Sequence, residues 1–358
     1  MLCCPPAIFM VKLILNMKSE AGKNMKKLTI NEIAERAGVS KTTVSFYLNG
    51  KTNKMSEETM ERIRKIIEET GYEPNAAARA LKSKSGGVIG VILGDLSQPF
   101  AAKALKGIEE EANLKGYQVL VGASGMSFSK EEEYIESMSG LGVAGFIIQA
   151  TYRFGILGME LEKRNRNLVY LDVSPYDTKG KSVKSGNYTS VYEAISQCVK
   201  KGYEQFIIIS DGSQDDYGGV ANAQGFKDAL REAGKTFKVY DLDQDDTEEA
   251  VGTYLHQQID AKKKTLIYVS DASALQRVYG AVKQLEDYQS LMPEKLGLIG
   301  FDISGWTKMT TPPITAIVIP AYQEGRMAAR QLLDMIHGKG DSKEVVLKNK
   351  IIWRESTM

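Results

Sequence analysis

The sequence contains little cysteine and little histidine for a chain of its length. Its 358 residues include three cysteines, Cys3, Cys4 and Cys198, and two histidines, His256 and His337. A disulfide framework needs cysteines in larger paired sets, and a zinc site needs about four ligands at short spacings. The sequence therefore predicts neither a disulfide framework nor a metal site, which is compatible with a reducing cytoplasm.

A net charge of either sign is also lacking. The chain has 46 lysine and arginine residues and 45 aspartate and glutamate residues, so no overall field identifies a polyanionic partner. Hydrophobic residues make up 43% and charged residues 25%, which is ordinary for a soluble globular protein. Because 358 residues exceed one ordinary core, we expect two or three domains.

The motifs of common enzyme classes are missing as well. No Gly-x-Gly-x-x-Gly or phosphate-binding loop follows an apolar strand, and Gly86, Gly87 and Gly90 precede or begin the first strand with the wrong spacing. Neither histidine lies in a nucleophile motif, and His337 before Gly338 fits a cation at a helix C-terminus. The sequence favours a protein that is not an enzyme and has no cofactor.

An apolar leader precedes the globular pattern. Residues 2–15 are mostly apolar but are interrupted by two prolines and a lysine, and the run is too short to span a membrane. A secretory signal has a basic stretch before its apolar run, and none is present here. A second start-like sequence begins at Met25. We expect residues 1–25 to be an unfolded leader or a misassigned start, with no membrane partner.

Three short helices are predicted next, with a tight turn between the first two. Gly38 ends the first helix at a position suited to positive φ. Ser40 fits the N-cap of the second helix, Lys41–Leu48, which buries Val44. The third helix starts at Ser56 and is followed by a glycine. This arrangement is typical of a helix-turn-helix domain, whose second helix enters the major groove of DNA.

The charge of this part of the chain fits a nucleic-acid partner. Residues 26–84 contain twelve lysines and arginines but eight glutamates, a surplus of four in a chain with a net charge of +1. The second helix offers groups that can contact base edges and phosphates, namely Lys41, Thr42, Thr43, Ser45 and Asn49. A generic three-helix domain with a solvated polar face remains an alternative at this point.

A weak helix and a flexible joint follow. After Pro74, the alanine-rich run 75–82 has good helix propensity but is too short to be stable alone. Residues 83–87 form a glycine- and serine-containing joint. We therefore predict a hinge helix that folds only when it gains partners.

From residue 88 onward, short apolar strands alternate with amphipathic helices. The predicted strands are 88–93, 118–121, 145–148, 168–172, 206–210, 238–240, 265–269 and 296–301, and the predicted helices are 101–114, 130–138, 188–200, 223–232, 247–258 and 274–285. Such alternation predicts parallel sheets covered by helices on both faces. About ten strands in two series indicate two doubly wound lobes, with a ligand between the carboxyl ends of their strands.

Residues 28–45, followed by Leu48-Asn49-Gly50, resemble the head of the lactose/galactose-repressor family. The resemblance continues through residues 71–75, 78–82 and 89–91. Further matches are Leu171-Asp172-Val173-Ser174, Gly225-Phe226, Ile299-Gly300-Phe301-Asp302 and Arg354-Glu355-Ser356-Thr357. The similarity covers residues 26–358, and it implies a transcriptional regulator with a helix-turn-helix head and a sensor like the periplasmic binding proteins.

The resemblance implies a set of DNA contacts. They are Thr29, Ser40, Lys41, Thr42, Thr43, Ser45, Phe46, Asn49, Ala78, Leu81 and Lys82. Leu81 would be an apolar wedge in the minor groove at the centre of a pseudo-palindrome, or else a core anchor of the linker helix. Phe46 stands where the family often has an arginine that recognises guanine, so the usual half-site cannot be transferred to this chain.

The resemblance also implies effector contacts in the sensor. They are Asp95, Ser97, Phe100, Gln149, Asp172, Asn187, Asn222, Asp271 and Asp302. Carboxylates and amides with stacking rings at Phe100 and Trp306 suit a polyhydroxylated ligand, a sugar or sugar acid. Asn222 stands where the family commonly has an arginine, and Asp271-Ala272 stands where it commonly has an Asn-Asp pair. These departures leave the identity of the ligand open. Each acid could instead cap a strand end or a turn.

The sequence thus predicts a homodimeric regulator, more commonly a repressor, that binds double-stranded operator DNA in the cytoplasm under control of a small effector. Its domains are expected at 26–72 (head), 73–86 (hinge segment) and 87–358 (effector-binding and dimerisation). No leucine-heptad tail follows Arg354 to Thr357, so a dimer is expected rather than a tail-mediated tetramer. Two alternatives stay open: a solute-binding or enzymatic α/β protein, and a regulator that gains DNA affinity from its ligand.

Overall fold

The computed structural model contains two compact units, residues 1–82 and 83–358. The residues it describes are 29–48, 52, 55–70, 72, 86–173, 181–210, 217–243, 245–285, 288–339 and 343–358. The predicted leader and nearly all of the predicted hinge segment lie outside these residues. We call the described part of the first unit the head and that of the second unit the sensor.

Three helices form the head: α1 (Ile30–Ala37), α2 (Lys41–Leu48) and α3 (Glu57–Thr70). The turn between α1 and α2 is the predicted one, because Gly38 has φ 63° and its N–H donates to the carbonyls of Ala34 and Glu35. The five buried side chains of the head core are Ile33, Ala34, Ala37, Val44 and Ile63. This small core packs α2 against both other helices and so fixes which of its faces points outward.

The sensor contains two six-stranded sheets. The strands are β1 (Val88–Leu93), β2 (Gln118–Ala123), β3 (Gly145–Ile148), β4 (Asn167–Leu171), β5 (Ser182–Ser185), β6 (Gln205–Ser210), β7 (Lys238–Asp241), β8 (Thr265–Val269), β9 (Leu296–Asp302), β10 (Thr315–Val318), β11 (Val345–Leu347) and β12 (Lys350–Ile352). Lobe 1 has the order β11-β5-β4-β3-β1-β2, and lobe 2 has the order β12-β10-β9-β8-β6-β7. Neighbouring strands run parallel except β10 and β12. The predicted fold class is confirmed.

Helices cover both sheets. They are α4 (Pro99–Leu114), α5 (Phe128–Gly140), α6 (Phe154–Lys163), α7 (Asn187–Lys200), α8 (Tyr217–Glu232), α9 (Glu248–Gln258), α10 (Ala274–Lys283), α11 (Tyr288–Leu291) and α12 (Ala321–Ile336), with 3₁₀ turns at Trp306–Met309 and Glu355–Thr357. Helices α4 and α12 pack very closely, since a Cβ built on Gly325 would lie 2.0 Å from the carbonyl oxygen of Ala104. Among the described residues, every helix is too short or too polar to cross a lipid bilayer.

The chain passes between the lobes three times, at points that we call crossovers. They join β5 to α7, β10 to α12, and β11 to β12. Two hydrogen bonds tie the first crossover to the third: the N–H of Gly186 donates to the carbonyl of Leu347, and Asn349 Nδ2 donates to Asn187 Oδ1, both at 2.8 Å. Because the crossovers leave the carboxyl ends of β5, β10 and β11, the carboxyl edges of the two sheets border the space between the lobes, which we call the cleft.

Candidate functional site

The outward face of α2 carries polar and aromatic side chains. Val44 is fully buried, whereas Lys41 and Thr42 are exposed and Phe46 is 48% exposed. Ser45 is half-buried. Positions 41, 42, 45 and 46 lie on one side of a helix, since 3.6 residues complete a turn. The head therefore presents one cation, hydroxyl groups and an aromatic ring on one face of α2, and such groups can contact base edges and phosphates.

Two of the predicted DNA contacts, Ser40 and Thr29, cap the starts of helices. Ser40 Oγ accepts the backbone N–H of Thr43 at 3.1 Å and lies 2.8 Å from Thr43 Oγ1. Thr29 forms a capping box with Glu32, whose carboxylate accepts the backbone N–H of Thr29 at 2.6 Å. These hydroxyls fix where α1 and α2 start, which places the other groups. Asn49, Ala78, Leu81 and Lys82 lie outside the described residues.

In lobe 1, Gln149 connects the ends of three strands. Its Oε1 accepts the backbone N–H of Gly94 after β1 at 3.1 Å, and its Nε2 donates to Asp172 Oδ2 after β4 at 3.2 Å. Asp172 has φ 63°, the left-handed conformation that a short polar side chain tolerates. The structure thus brings Gln149 and Asp172 together at the carboxyl edge of the sheet.

The loop after β1 holds two more predicted residues. Asp95 Oδ1 accepts both the backbone N–H and the hydroxyl of Ser97 at 2.8 Å. These hydrogen bonds hold the pKa of Asp95 below its ordinary value. Phe100 is 7% exposed and packs in the core of lobe 1. The prediction that its ring offers a stacking surface is corrected, because the first turn of α4 points this side chain inward.

In lobe 2, Asn222 on α8 is 6% exposed and close to the end of β8. Its Nδ2 donates to the carbonyl of Ser270 at 2.8 Å, which fixes the orientation of the amide. Its Oδ1 is buried and accepts no hydrogen bond from the described residues. A buried acceptor without a donor is unfavourable, so this oxygen is a suitable point for a ligand hydroxyl to donate.

Two predicted acids of lobe 2 serve their own turns. Asp271 Oδ1 accepts the backbone N–H groups of Ser273 and Ala274 at 2.6 and 3.2 Å. Asp302, which is almost fully buried, accepts the N–H of Gly305 at 2.6 Å and the N–H of Thr307 at 3.3 Å. It also accepts the hydroxyl of Thr307. For Asp302 the structure supports the turn-capping alternative, since both carboxylate oxygens are engaged within the protein.

Asn187 occupies a crossover. Its side chain is buried, and its Oδ1 accepts the hydrogen bond from Asn349 that joins the first and third crossovers. A change in the arrangement of the lobes would therefore alter the surroundings of Asn187. A second link between the lobes was not predicted: Lys103 Nζ on α4 donates to the carbonyl of Ile303 after β9.

Sequence reasoning missed a buried acid behind the cleft edge. Glu131 on α5 is fully buried and accepts the backbone N–H and the hydroxyl of Thr151, both at 2.7 Å. Burial outweighs these hydrogen bonds and raises its pKa. Glu131 holds the loop that follows Gln149. It was hard to find because residues 131–133 are three consecutive glutamates, which are typical of a solvated helix face.

Comparison with known proteins gives two family matches. Residues 29–75 match the bacterial regulatory proteins of the lacI family, and residues 195–357 match the periplasmic binding protein-like domain. Catabolite control protein A of Priestia megaterium is 30% identical to this chain over 337 residues, which cover 92% of this chain and 99% of that protein.

Two solved structures match over more than nine-tenths of this chain. The lac repressor dimer bound to operator and the anti-inducer ONPF has a TM-score of 0.69 at 21% identity, covering 93% of this chain and 100% of that chain. The transcriptional regulator CelR in complex with cellobiose has a TM-score of 0.62 at 23% identity, covering 92% and 99%. At these identities the likeness establishes a shared fold.

Proposed function

Because the chain belongs to the lacI family of bacterial regulatory proteins and is a DNA-binding transcriptional regulator, we propose that it acts as a cytoplasmic, homodimeric repressor of a pseudo-palindromic operator. In this proposal the cleft between the lobes binds a sugar or sugar acid. The observation that carries the proposal is the outward face of α2, with Lys41 and Thr42 exposed beside a buried Val44. A relative of the same fold is an operator-bound dimer.

The proposed recognition by α2 is tested by binding selection on random DNA duplexes. Lys41→Ala and Thr42→Ala should shift the preferred half-site, since one good base contact contributes about 1–3 kcal/mol. Lys65→Ala is the matched control: Lys65 is equally charged and 73% exposed but lies on α3. An unchanged preference in the α2 variants would remove both residues from base recognition.

Residues 73–85 of the proposed hinge segment lie outside the described residues, so the segment is tested by function. If Leu81 wedges into the minor groove, Leu81→Ala should lose most of the specific affinity and much of the DNA bend, because unstacking needs an apolar side chain. Operator affinity and bend are measured at one fixed salt concentration. Equal affinity and bend would show that the segment is only a tether. Sedimentation of the free and DNA-bound protein tests the dimer, which a monomer in both states would contradict.

The proposed effector contacts are Gln149, Asp172 and Asn222, supported by Asp95, Ser97 and Asp271. Gln149 supplies an amide donor and Asp172 a carboxylate in lobe 1, and Asn222 supplies a buried acceptor in lobe 2. A panel of neutral sugars and sugar acids is screened by thermal shift, and Asn222→Ala should weaken binding of any ligand found. Operator affinity with and without that ligand then shows whether it releases or strengthens DNA binding. A ligand that binds Asn222→Ala unchanged would place the site elsewhere.

A further inference from the structure

A glutamate that has no positive partner among the described residues lies at the second crossover. Glu324 is in the first turn of α12 and is fully buried. Its Oε1 accepts the hydroxyl of Ser185, the last residue of β5. Its Oε2 is buried and has no hydrogen-bond partner among the described residues. The carboxyl group therefore depends on one hydroxyl for its stabilisation inside the protein.

The charged groups on the elements around Glu324 have partners of their own. These pairs are Lys103 with the carbonyl of Ile303, Glu111 with Arg326 and Arg330, Tyr322 with Glu110, and Lys184 with Glu344. Strands β3 and β4 contribute apolar side chains, Ile147, Val169 and Leu171. Lys348 at the third crossover is exposed. None of these groups compensates a charge on Glu324.

Physical chemistry then disfavours the ionised form. A carboxylate moved out of water without a cation loses most of its solvation, so a buried acid keeps its proton more easily. Burial raises the pKa of Glu324 to about 7, against a smaller lowering by the hydrogen bond from Ser185. Near neutral pH, the protonated and ionised forms are both present.

The position of the pair links this proton to the geometry of the lobes. Ser185 immediately precedes the first crossover, and Glu324 follows the second by one helical turn. The first crossover is in turn bonded to the third through Gly186 and Asn187. A movement of the lobes has to change the backbone at these crossovers, so it alters the surroundings of the Glu324 carboxyl.

We propose that Glu324 and Ser185 form a proton-linked latch: the neutral acid holds the crossovers as they are seen here, and its ionisation favours an arrangement in which water reaches the carboxylate. The proton passes to bulk water, and no covalent bond is formed or broken elsewhere. Control of the regulator by this latch rests on the proposed function, in which lobe geometry transmits the effector signal. The latch itself requires neither effector nor DNA.

The test is hydrogen exchange of the full chain, free of DNA and effector, at pH 5.5 and 8.5. Wild type and Glu324→Gln are compared at the same pH, so the intrinsic pH dependence of exchange cancels. We assume that exchange follows an opening in which the Glu324 carboxyl regains an ordinary pKa. The ratio of the wild-type exchange rate to the Glu324→Gln rate should then rise about 30-fold from pH 5.5 to pH 8.5. This rise is expected in peptides that contain the crossovers. Glu111→Gln is the control, because this buried glutamate is paired with two arginines.

A second variant keeps the test decisive if glutamine disturbs the fold. Ser185→Ala removes the hydrogen bond that lowers the pKa of Glu324, so it should move the midpoint of the exchange change to higher pH. The latch would be overturned if the ratio of the wild-type rate to the Glu324→Gln rate were equal at both pH values. It would also be overturned if the ratio of the wild-type rate to the Glu111→Gln rate rose by the same factor. Failure of operator or sugar binding would leave this result untouched, which separates the latch from the proposed function.

Discussion

The two lobes differ in the way they accommodate buried acids. Lobe 1 buries Glu111, Glu131 and Glu324, all on helices, whereas the buried acid of lobe 2 among the described residues is Asp302 at the end of β9. Asp302 accepts two backbone N–H groups and one hydroxyl from its own turn. The acid of lobe 2 is thus held mainly by backbone groups of its own turn. The acids of lobe 1 depend on side chains from other elements, and Glu131 also accepts the backbone N–H of Thr151.

Among the buried acids of lobe 1, the donors around the carboxylate decide whether its pKa is lowered or raised. Hydrogen bonds from Arg330 and Arg326 lower the pKa of Glu111 despite its desolvation. Glu131 has two neutral donors and Glu324 has one, and burial raises the pKa of both. The direction of the pKa shift thus differs among three glutamates of one lobe: it is downward for Glu111 and upward for Glu131 and Glu324.

The largest expected effect comes from removing the backbone-held acid. Asp302→Ala leaves the N–H groups of Gly305 and Thr307 without acceptors inside the protein, so it should lower the free energy of unfolding by about 3 kcal/mol. Asp302→Asn keeps one acceptor and should lose less. Urea unfolding of the full chain measures both. If alanine costs under about 1 kcal/mol, the turn does not depend on this carboxylate.

The helices and central strands were predictable because their periodicity is strong. Strands β1, β3 and β8 have the predicted bounds, and α1, α2 and α3 follow from caps and glycines. The sequence analysis missed α6, α11, α12, β5, β10, β11 and β12. Strands β11 and β12 have three residues each, too few for a period. The return of α12 to lobe 1 depends on tertiary packing at Gly107 and Gly325, which a local pattern does not contain.

The candidate site was predictable at the level of strand ends. The resemblance singled out Gln149, Asp172 and Asn222: Gln149 and Asp172 directly follow β3 and β4, whereas Asn222 lies on α8 and contacts the residue that follows β8. It could not tell a capping acid from a ligand contact, as Asp302 shows, because both occur after a strand. It also could not find Glu131 or Glu324, since only the packing of their helices distinguishes a buried glutamate from a solvated one.

An intermediate effect is expected at the ion-paired acid. Glu111→Ala leaves Arg326 and Arg330 without their acceptor, but these side chains are 37% and 51% exposed and can be solvated. The loss should therefore be about 1–2 kcal/mol at pH 7, below that of a fully buried pair. The pKa of Glu111 is lowered on folding, so its stabilisation is present above its ordinary pKa and is lost as the pH falls through the lowered one. Acid unfolding of wild type and variant should converge; a constant difference down to the lowest pH would contradict the ion-pair account.

The smallest effect is expected at Glu131, the acid with two neutral donors. Its pKa is raised on folding, so its ionisation removes stability as the pH rises above the ordinary glutamate value. Glu131→Gln keeps an acceptor for the N–H of Thr151 and removes the buried charge. Its free energy of unfolding should lie within about 1 kcal/mol of wild type at pH 7 and should gain on wild type as the pH rises. Urea unfolding between pH 5 and pH 8 measures this trend.

Thr151→Val, which deletes only the hydroxyl donor to Glu131, should make the loss of stability with rising pH steeper than in wild type. A Glu131→Gln variant that loses stability relative to wild type as the pH rises would contradict this account, because the ionised form would then be the stabilising one.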